Sequence, residues 1–299
     1  MCSSRLSVLL LLLVLVSTLT LYAQQTSFDD VKIRFTPPNE RLAVDKGARL
    51  VFDDGARRLI VKSGHHPLEV SYEDIHKVVI ESDYRGVDPT KFMLTVGAVW
   101  APEKRETLWC YLEYKKTDGP PESYLIRIDK KIREQFIEKA RAVFGEKVAF
   151  PEFPERPEAM DKKQLPEAEV EFSVKQDKKN HPLPEIRPDK ALVVVVCPAF
   201  NTRYAGKGLL KIHANNRVVG INKMGTYTFF YLEPNEYLLV SQGGDASGVR
   251  TRVEAGKDYY FLQTPTIGWV SVNSILNRQS KELVMYEVNG AHYSDWKRK

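Results

Sequence analysis

His65 and His66 stand side by side after Gly64, two imidazoles of the kind that hold a metal ion. A metal site needs three or four ligands at compatible spacing. No cysteine or carboxylate pattern accompanies the pair, so a solvent-facing turn is expected. His213 falls in an alternating stretch and is expected to be a strand residue rather than a ligand or base. Glu73 and Asp74 are neighbours that could do acid–base work, but adjacent carboxylates on a strand point to opposite faces, and in a turn Asp74 needs no catalytic role. The chain has no HExxH, CxxC, GxSxG, P-loop or dinucleotide-binding pattern. The spacings that pre-position metal ligands, thiols, a strained serine or a phosphate cradle are therefore missing. No catalytic residue, metal or cofactor is assigned.

What remains is the chemistry of recognition. Tyr227, Phe229 and Tyr231 alternate with Thr228 and Phe230, and a strand places the first three on one face and Phe230 on the other. Two readings stand for that face: large core residues with tyrosine hydroxyls at the edge, or an exposed aromatic strip that binds a peptide, a glycan or an envelope protein. Arg57 and Arg58 follow Asp53-Asp54-Gly55. They are either ligand-contacting cations or the solvated tip of an ordinary hairpin.

The elements that position these residues follow from the order of the chain. Residues 1–23 have the layout of an export signal: Arg5, the apolar run Leu6 to Val16, then more polar residues and Ala23 as the last residue of the leader. An uncleaved N-terminal anchor is the alternative, since about 17 mostly apolar residues approach the lower limit for crossing a bilayer. Cys2 precedes the apolar run, so no lipid anchor is predicted. The 299 residues are enough for two ordinary domains, and 43% hydrophobic residues suffice for two cores. A formal charge of +5, dispersed over many acids and bases, does not indicate nucleic acid. Cys110 and Cys197 lie in apolar runs far apart in the chain and are expected to be buried thiols.

Residues 41–148 read as a series of short strands ending in one helix. Ala48 to Phe52 and Arg58 to Lys62 flank the Asp-Asp-Gly turn, followed by Leu68 to Tyr72, Lys77 to Glu81, Phe92 to Trp100, Leu108 to Lys115 and Ser123 to Ile128. Asp129 caps a helix that runs to Phe144, with Gly145 beyond it. Residues 149–189 hold Pro151, Pro154, Pro157, Pro166, Pro182, Pro184 and Pro188 among charges and read as an extended spacer. One strand near Glu169 to Lys175 is expected to lie on a neighbouring domain. In 190–290 the continuous apolar run Ala191 to Cys197 suits a strand buried on both faces. Turn signals then recur about every 8 to 12 residues, the spacing of an antiparallel sandwich. Its last strand is expected at Leu283 to Val288, after a helical turn within Trp269 to Arg278. Residues 291–299 read as a basic tail.

Two family resemblances rest on short motifs. The meander closed by one helix, with Val70-Ser71-Tyr72-Glu73-Asp74-Ile75-His76-Lys77-Val78, resembles the pleckstrin-homology and GRAM-like domains. That resemblance implies a barrel with a C-terminal helix and, for some members, an anionic-lipid site on the first hairpin, to which Arg57, Arg58 and Lys62 would correspond. The order Lys211 to Gly220, Gly225-Thr226-Tyr227, Glu233-Pro234-Asn235-Glu236-Tyr237 and Glu254-Ala255-Gly256-Lys257-Asp258-Tyr259-Tyr260 resembles the bacterial domain-of-unknown-function family 2846. It implies export, a small β-sandwich and no assigned activity. Asn235 stands where that family usually has glycine, and Pro198-Ala199-Phe200 where an arginine often follows the first strand.

The chain thus reads as a mainly β, exported, periplasmic or extracellular protein with a pleckstrin-homology-like barrel, a spacer and an antiparallel β-sandwich. Its function is expected to be non-catalytic binding or envelope association. Assembly through a sheet edge and a secreted hydrolase are the alternatives.

Overall fold

The computed structural model describes residues 25–35, 44–64, 67–85, 105–115, 119–153, 155, 157–161, 165, 170–199, 208–215, 217–267 and 272–299. The strand expected at 92–100 and the pair His65-His66 lie outside them. Among the described residues the fold is mainly β, in three sheets, none of them closed into the barrel expected for the first half.

The first half is an eight-stranded open sheet. Its strands are β1 (Gln25–Phe35), β2 (Val44–Asp53), β3 (Arg58–Lys62), β4 (Leu68–Ser71), β5 (Ile75–Arg85), β6 (Arg105–Tyr114), β7 (Glu122–Ile128) and β8 (Val148–Ala149), in the order β4-β3-β2-β1-β7-β6-β5-β8. β1 lies ahead of residue 41, and its apolar residues do not alternate strictly. A register shift between Phe28 and Val31 lets Phe28, Val31 and Ile33 all turn inward. Helix α1 (Arg133–Phe144) lies over the sheet. Asp129 accepts a hydrogen bond from Lys131 N at 3.0 Å and starts the short 3₁₀ turn that leads into it. Phe136, Ala140 and Phe144 are its buried stripe. Phe136 meets Phe28 edge-on at 5.8 Å and Phe144 meets Tyr72 at 5.6 Å, geometries that aromatic pairs prefer.

Part of the proline-rich stretch is built into the second half. It carries β9 (Glu158–Met160) and β10 (Phe172–Asp177), the latter close to the strand expected there. The chain continues through β11 (Ala191–Cys197), β12 (Leu210–Ala214), β13 (Arg217–Asn222), β14 (Thr226–Leu232), β15 (Asn235–Gln242), β16 (Ala246–Val253), β17 (Asp258–Ile267), β18 (Val272–Arg278), helix α2 (Lys281–Asn289) and β19 (His292–Arg298). One sheet has the order β10-β19-β14-β11-β17-β18 and faces a second, β13-β12-β15-β16-β9. Between them lie Val193, Val195, Phe261, Ile212, Leu239 and Val249.

Four expectations for this half are corrected. The pairings are not all antiparallel: β11 runs parallel to β17, and β14 parallel to β19. After β14 the chain crosses to build β15 and β16 in the facing sheet, and such a crossover lets β17 return parallel to β11. Leu283 to Val288, expected as a strand, lies in α2. A short apolar run does not fix its own period, and Ser280 caps the helix by accepting from Leu283 N at 3.2 Å. Val272 to Arg278 is strand rather than a helical turn, and the expected tail forms β19, with Trp296 packed against Phe172 at 5.9 Å.

β11 is fully buried because both of its faces are covered. The face opposite the sandwich core presents Leu192, Val194 and Val196 to α2 and, beyond it, to Val79, Trp109, Tyr111 and Leu125 of the first half. Polar contacts reinforce this junction. Arg34 of β1 pairs with Glu287 of α2, and Tyr286 donates to the Arg34 carbonyl at 2.6 Å. The Glu81 carboxylate accepts from Ser280 N at 2.9 Å and from Ser280 Oγ, and Asn277 donates to Asp83 at 3.3 Å.

Cys110 in β6 and Cys197 at the end of β11 are both free and buried. Burial pushes the Cys110 thiol up to about 12 and raises Cys197 as well. Only the thiolate reacts readily. Ellman's reagent is therefore expected to leave both untouched in the folded chain and to titrate both in guanidinium chloride.

Candidate functional site

β14 sits between β11 and β19, and its alternation sets the site. Phe230 turns toward the sandwich core, while Tyr227, Phe229 and Tyr231 share the other face. Neighbouring β19 adds Tyr293, whose ring lies 5.6 Å from both Tyr227 and Phe229, and Phe229 stands edge-on to Tyr231 at 6.4 Å. The result is one continuous aromatic face built from two parallel strands.

That face is covered by the chain itself. The segment 181–187, His-Pro-Leu-Pro-Glu-Ile-Arg, crosses it without forming a strand. Tyr227 donates its hydroxyl to the Pro182 carbonyl at 2.8 Å, and Tyr231 donates to the Glu185 carbonyl at 2.7 Å. The two acceptors are three residues apart, which is the repeat of a polyproline II helix. The His181 ring lies 4.9 Å from Tyr227, and the Arg187 guanidinium stands 4.0 Å over Tyr231. Burial raises the pKa of the Tyr227 phenol, so it stays a donor at neutral pH.

Both ends of the segment are pinned by short-range chemistry. Asp177, at the end of β10, accepts from the backbone N–H groups of Lys179 and Asn180, both at 3.0 Å, and turns the chain toward the face. The Asn180 N–H bond, with that side chain's own donation and the Lys179 N–H, holds the Asp177 carboxyl down at about 2. At the other end, Lys190 pairs with Glu233 at 2.9 Å just before β11. Between the pins, Leu183 (58% exposed) and Ile186 (51%) point away from the face.

The structure therefore brings Tyr227, Phe229 and Tyr231 together as the alternation predicts. Arg57 and Arg58 belong to the β2–β3 hairpin of the other half. Arg57 adopts a φ of 50° at the tip and stands 3.5 Å from Glu73, while Arg58 pairs with Glu69 and lies 3.7 Å from Asp53. Carboxylates thus face both guanidiniums, the arrangement of an ordinary hairpin tip. Asp74 lies in a turn whose carbonyl accepts from Lys115 N at 3.0 Å. His213 is buried, with Nε2 2.8 Å from Gln242 Oε1. No group of three or more His, Cys, Asp or Glu suited to a metal occurs among the described residues.

A hollow of about 650 Å³ lies between the halves, lined by Glu81, Arg133, Phe153, Glu155, Arg278 and Gln279 among others. Its cations are engaged, since Arg278 pairs with Glu155 and Arg133 donates to Ser82 Oγ at 3.1 Å. Two parts of the aromatic site escape sequence reasoning. Tyr293 falls in the stretch read as a tail, and segment 181–187 in the stretch read as a spacer. The signal for the second is the proline spacing at 182, 184 and 188.

No protein-family model matches this chain, and no curated protein matches it either. Among the described residues, no helix is long and apolar enough to cross a membrane.

Proposed function

We propose that this chain is an exported, non-catalytic binding protein of the cell envelope whose aromatic face on β14 and β19 takes an extended peptide. One observation carries the reading: Tyr227 and Tyr231 donate to two carbonyls three residues apart on a proline-containing segment. Aromatic grooves that bind polyproline II ligands use this chemistry, gaining affinity from the preformed backbone of the peptide. The leader-like residues 1–23 and the resemblance of residues 189–288 to family 2846 support export. The meander β1 to β7 with α1 laid over it supports the pleckstrin-homology-like reading of the first half, here as a scaffold that buries α2.

The test is a titration of residues 24–299 with a proline-rich octapeptide at millimolar concentration, followed through tyrosine ring resonances. Saturable shifts at Tyr227, Tyr231 and Tyr293 are expected. With segment 181–187 loosened by Pro184→Gly and Arg187→Ala, adding the pair Tyr227→Phe, Tyr231→Phe removes two hydrogen bonds of about 1 kcal/mol each and should weaken peptide binding roughly 30-fold. Shifts confined to other residues, or none at saturating peptide, would rule the reading out.

A further inference from the structure

We infer that segment 181–187 is a built-in competitor: it occupies the aromatic face in place of the ligand, and a partner's proline-rich segment of the pattern ring-Pro-x-Pro-x-x-Arg displaces it. This rests on the peptide-binding reading and adds the ligand class and its regulation.

The way the segment is held supports exchange. Among the described residues, its only backbone–backbone hydrogen bond is local, from Lys190 N to the Arg187 carbonyl at 3.4 Å. Contact with the sheet runs through tyrosine hydroxyls, one ring pair and one cation over a ring. A strand fixed in a ladder would have to break many bonds to leave; this segment breaks few. Its two large apolar side chains, Leu183 and Ile186, face solvent, so leaving the face re-exposes the tyrosines and little of the segment itself. The pinned ends at Asp177 and Lys190 stay in place, which makes the motion a local lift of the stretch between them.

The same contacts define what displaces it. Backbone carbonyls, not side chains, receive both hydroxyls, so the x positions of the ligand are free. The ring position is set by Tyr227 and the arginine by Tyr231, six residues apart along the peptide. The lost Pro N–H groups and fixed φ favour the extended form that presents carbonyls at a spacing of three. A tethered segment acts at an effective concentration in the millimolar range. The apparent affinity for a free peptide falls in proportion to the fraction of chains with the face open.

The probe is a fluorescein-labelled peptide of sequence HPLPEIRP, with the same residues scrambled as control, read by anisotropy against three chains: residues 24–299 unchanged, the Pro184→Gly, Arg187→Ala variant, and that variant with Tyr231→Phe added. The double variant loosens the tethered segment by restoring backbone freedom and removing the cation over Tyr231, and leaves the face intact. It should bind the labelled peptide about tenfold more tightly than the unchanged chain. Tyr231→Phe added to the loosened chain should weaken its binding of the peptide, and the scrambled peptide should not bind. Equal affinity of the loosened and unchanged chains would overturn the competitor while leaving peptide binding standing. Absence of binding to both would remove both ideas. If the loosened chain dimerises without peptide in sedimentation, the occupant is a second copy and the partner is wrong. Loss of its cooperative melt would make the segment a structural strap, which also overturns the inference.

Discussion

Replacing Arg34 with alanine is expected to destabilise the chain by about 3–5 kcal/mol, the cost of leaving a buried carboxylate without its partner. Arg34 is 3% exposed and Glu287 is 8% exposed, and Arg34 Nη2 lies 3.3 Å from Glu287 Oε2 in addition to the closer Nε contact. The guanidinium also stands 5.6 Å from the Trp109 ring, at the centre of the cluster that joins the halves. At roughly 2–4 °C per kcal/mol for a chain of this size, the melting temperature should fall by about 6–20 °C. A circular-dichroism melt of residues 24–299 measures it. The pair Arg34→Met, Glu287→Leu removes both charges and should recover most of the loss, because a well-packed apolar pair avoids the desolvation that the ion pair must offset. If Arg34→Ala melts within about 2 °C of the unchanged chain, the junction does not depend on this pair.

That junction is also where the sequence is least legible. The run Ala191 to Cys197 announces a strand buried on both sides, but nothing in it says what covers the second face. The answer, α2 backed by β5, β6 and β7, involves partners such as Arg34 and Glu287 separated by 253 residues. Local pattern carries no information over that distance. α2 itself was hidden because Leu283 to Val288 is short and mostly apolar, so strand and helix periods fit equally, and Ser280 as a cap was the decisive residue.

The aromatic site divides in the same way. Alternation places Tyr227, Phe229 and Tyr231 on one face from sequence alone, since a strand has a period of two whatever surrounds it. Their occupant was not visible. A proline-rich segment has the same composition whether it runs through solvent or lies across tyrosines, because its backbone is extended in both cases. Only the three-dimensional match between two hydroxyls and two carbonyls distinguishes them. Arg57 and Arg58, by contrast, are next to acids in sequence and meet acids in space.

Glu81 gives the second large effect, one that depends on pH. Its side chain is buried at the junction, and burial pushes its carboxyl up to about 7. The hydrogen bonds from Ser280 oppose the shift, and the charges of Glu282 and Asp83 add to it. Lys77 of the same strand pairs with Glu282, and Arg133 and Arg278 line the hollow beside Glu81. An unfolded chain holds this proton with a pKa near 4.5. The folded state therefore binds it more tightly, and the resulting stability is fully present below about 4.5 and disappears as pH rises through about 7. Between pH 5 and pH 8 the loss from this group is roughly 2–3 kcal/mol. Glu81→Gln keeps an acceptor for Ser280 and cannot ionise. Its urea midpoint should match the unchanged chain near pH 5 and exceed it at pH 8, by an amount equivalent to about 2 kcal/mol or more. The difference between the two chains isolates Glu81 from carboxylates such as Asp177, whose lowered pKa places their own effect at more acid pH. Because Ser280 is the N-cap of α2, the site of this titration is the docking of α2 itself. A difference that stays flat from pH 5 to pH 8 would mean that Glu81 is ionised at the junction throughout, held there by Ser280 and the α2 N-terminus against the cost of burial.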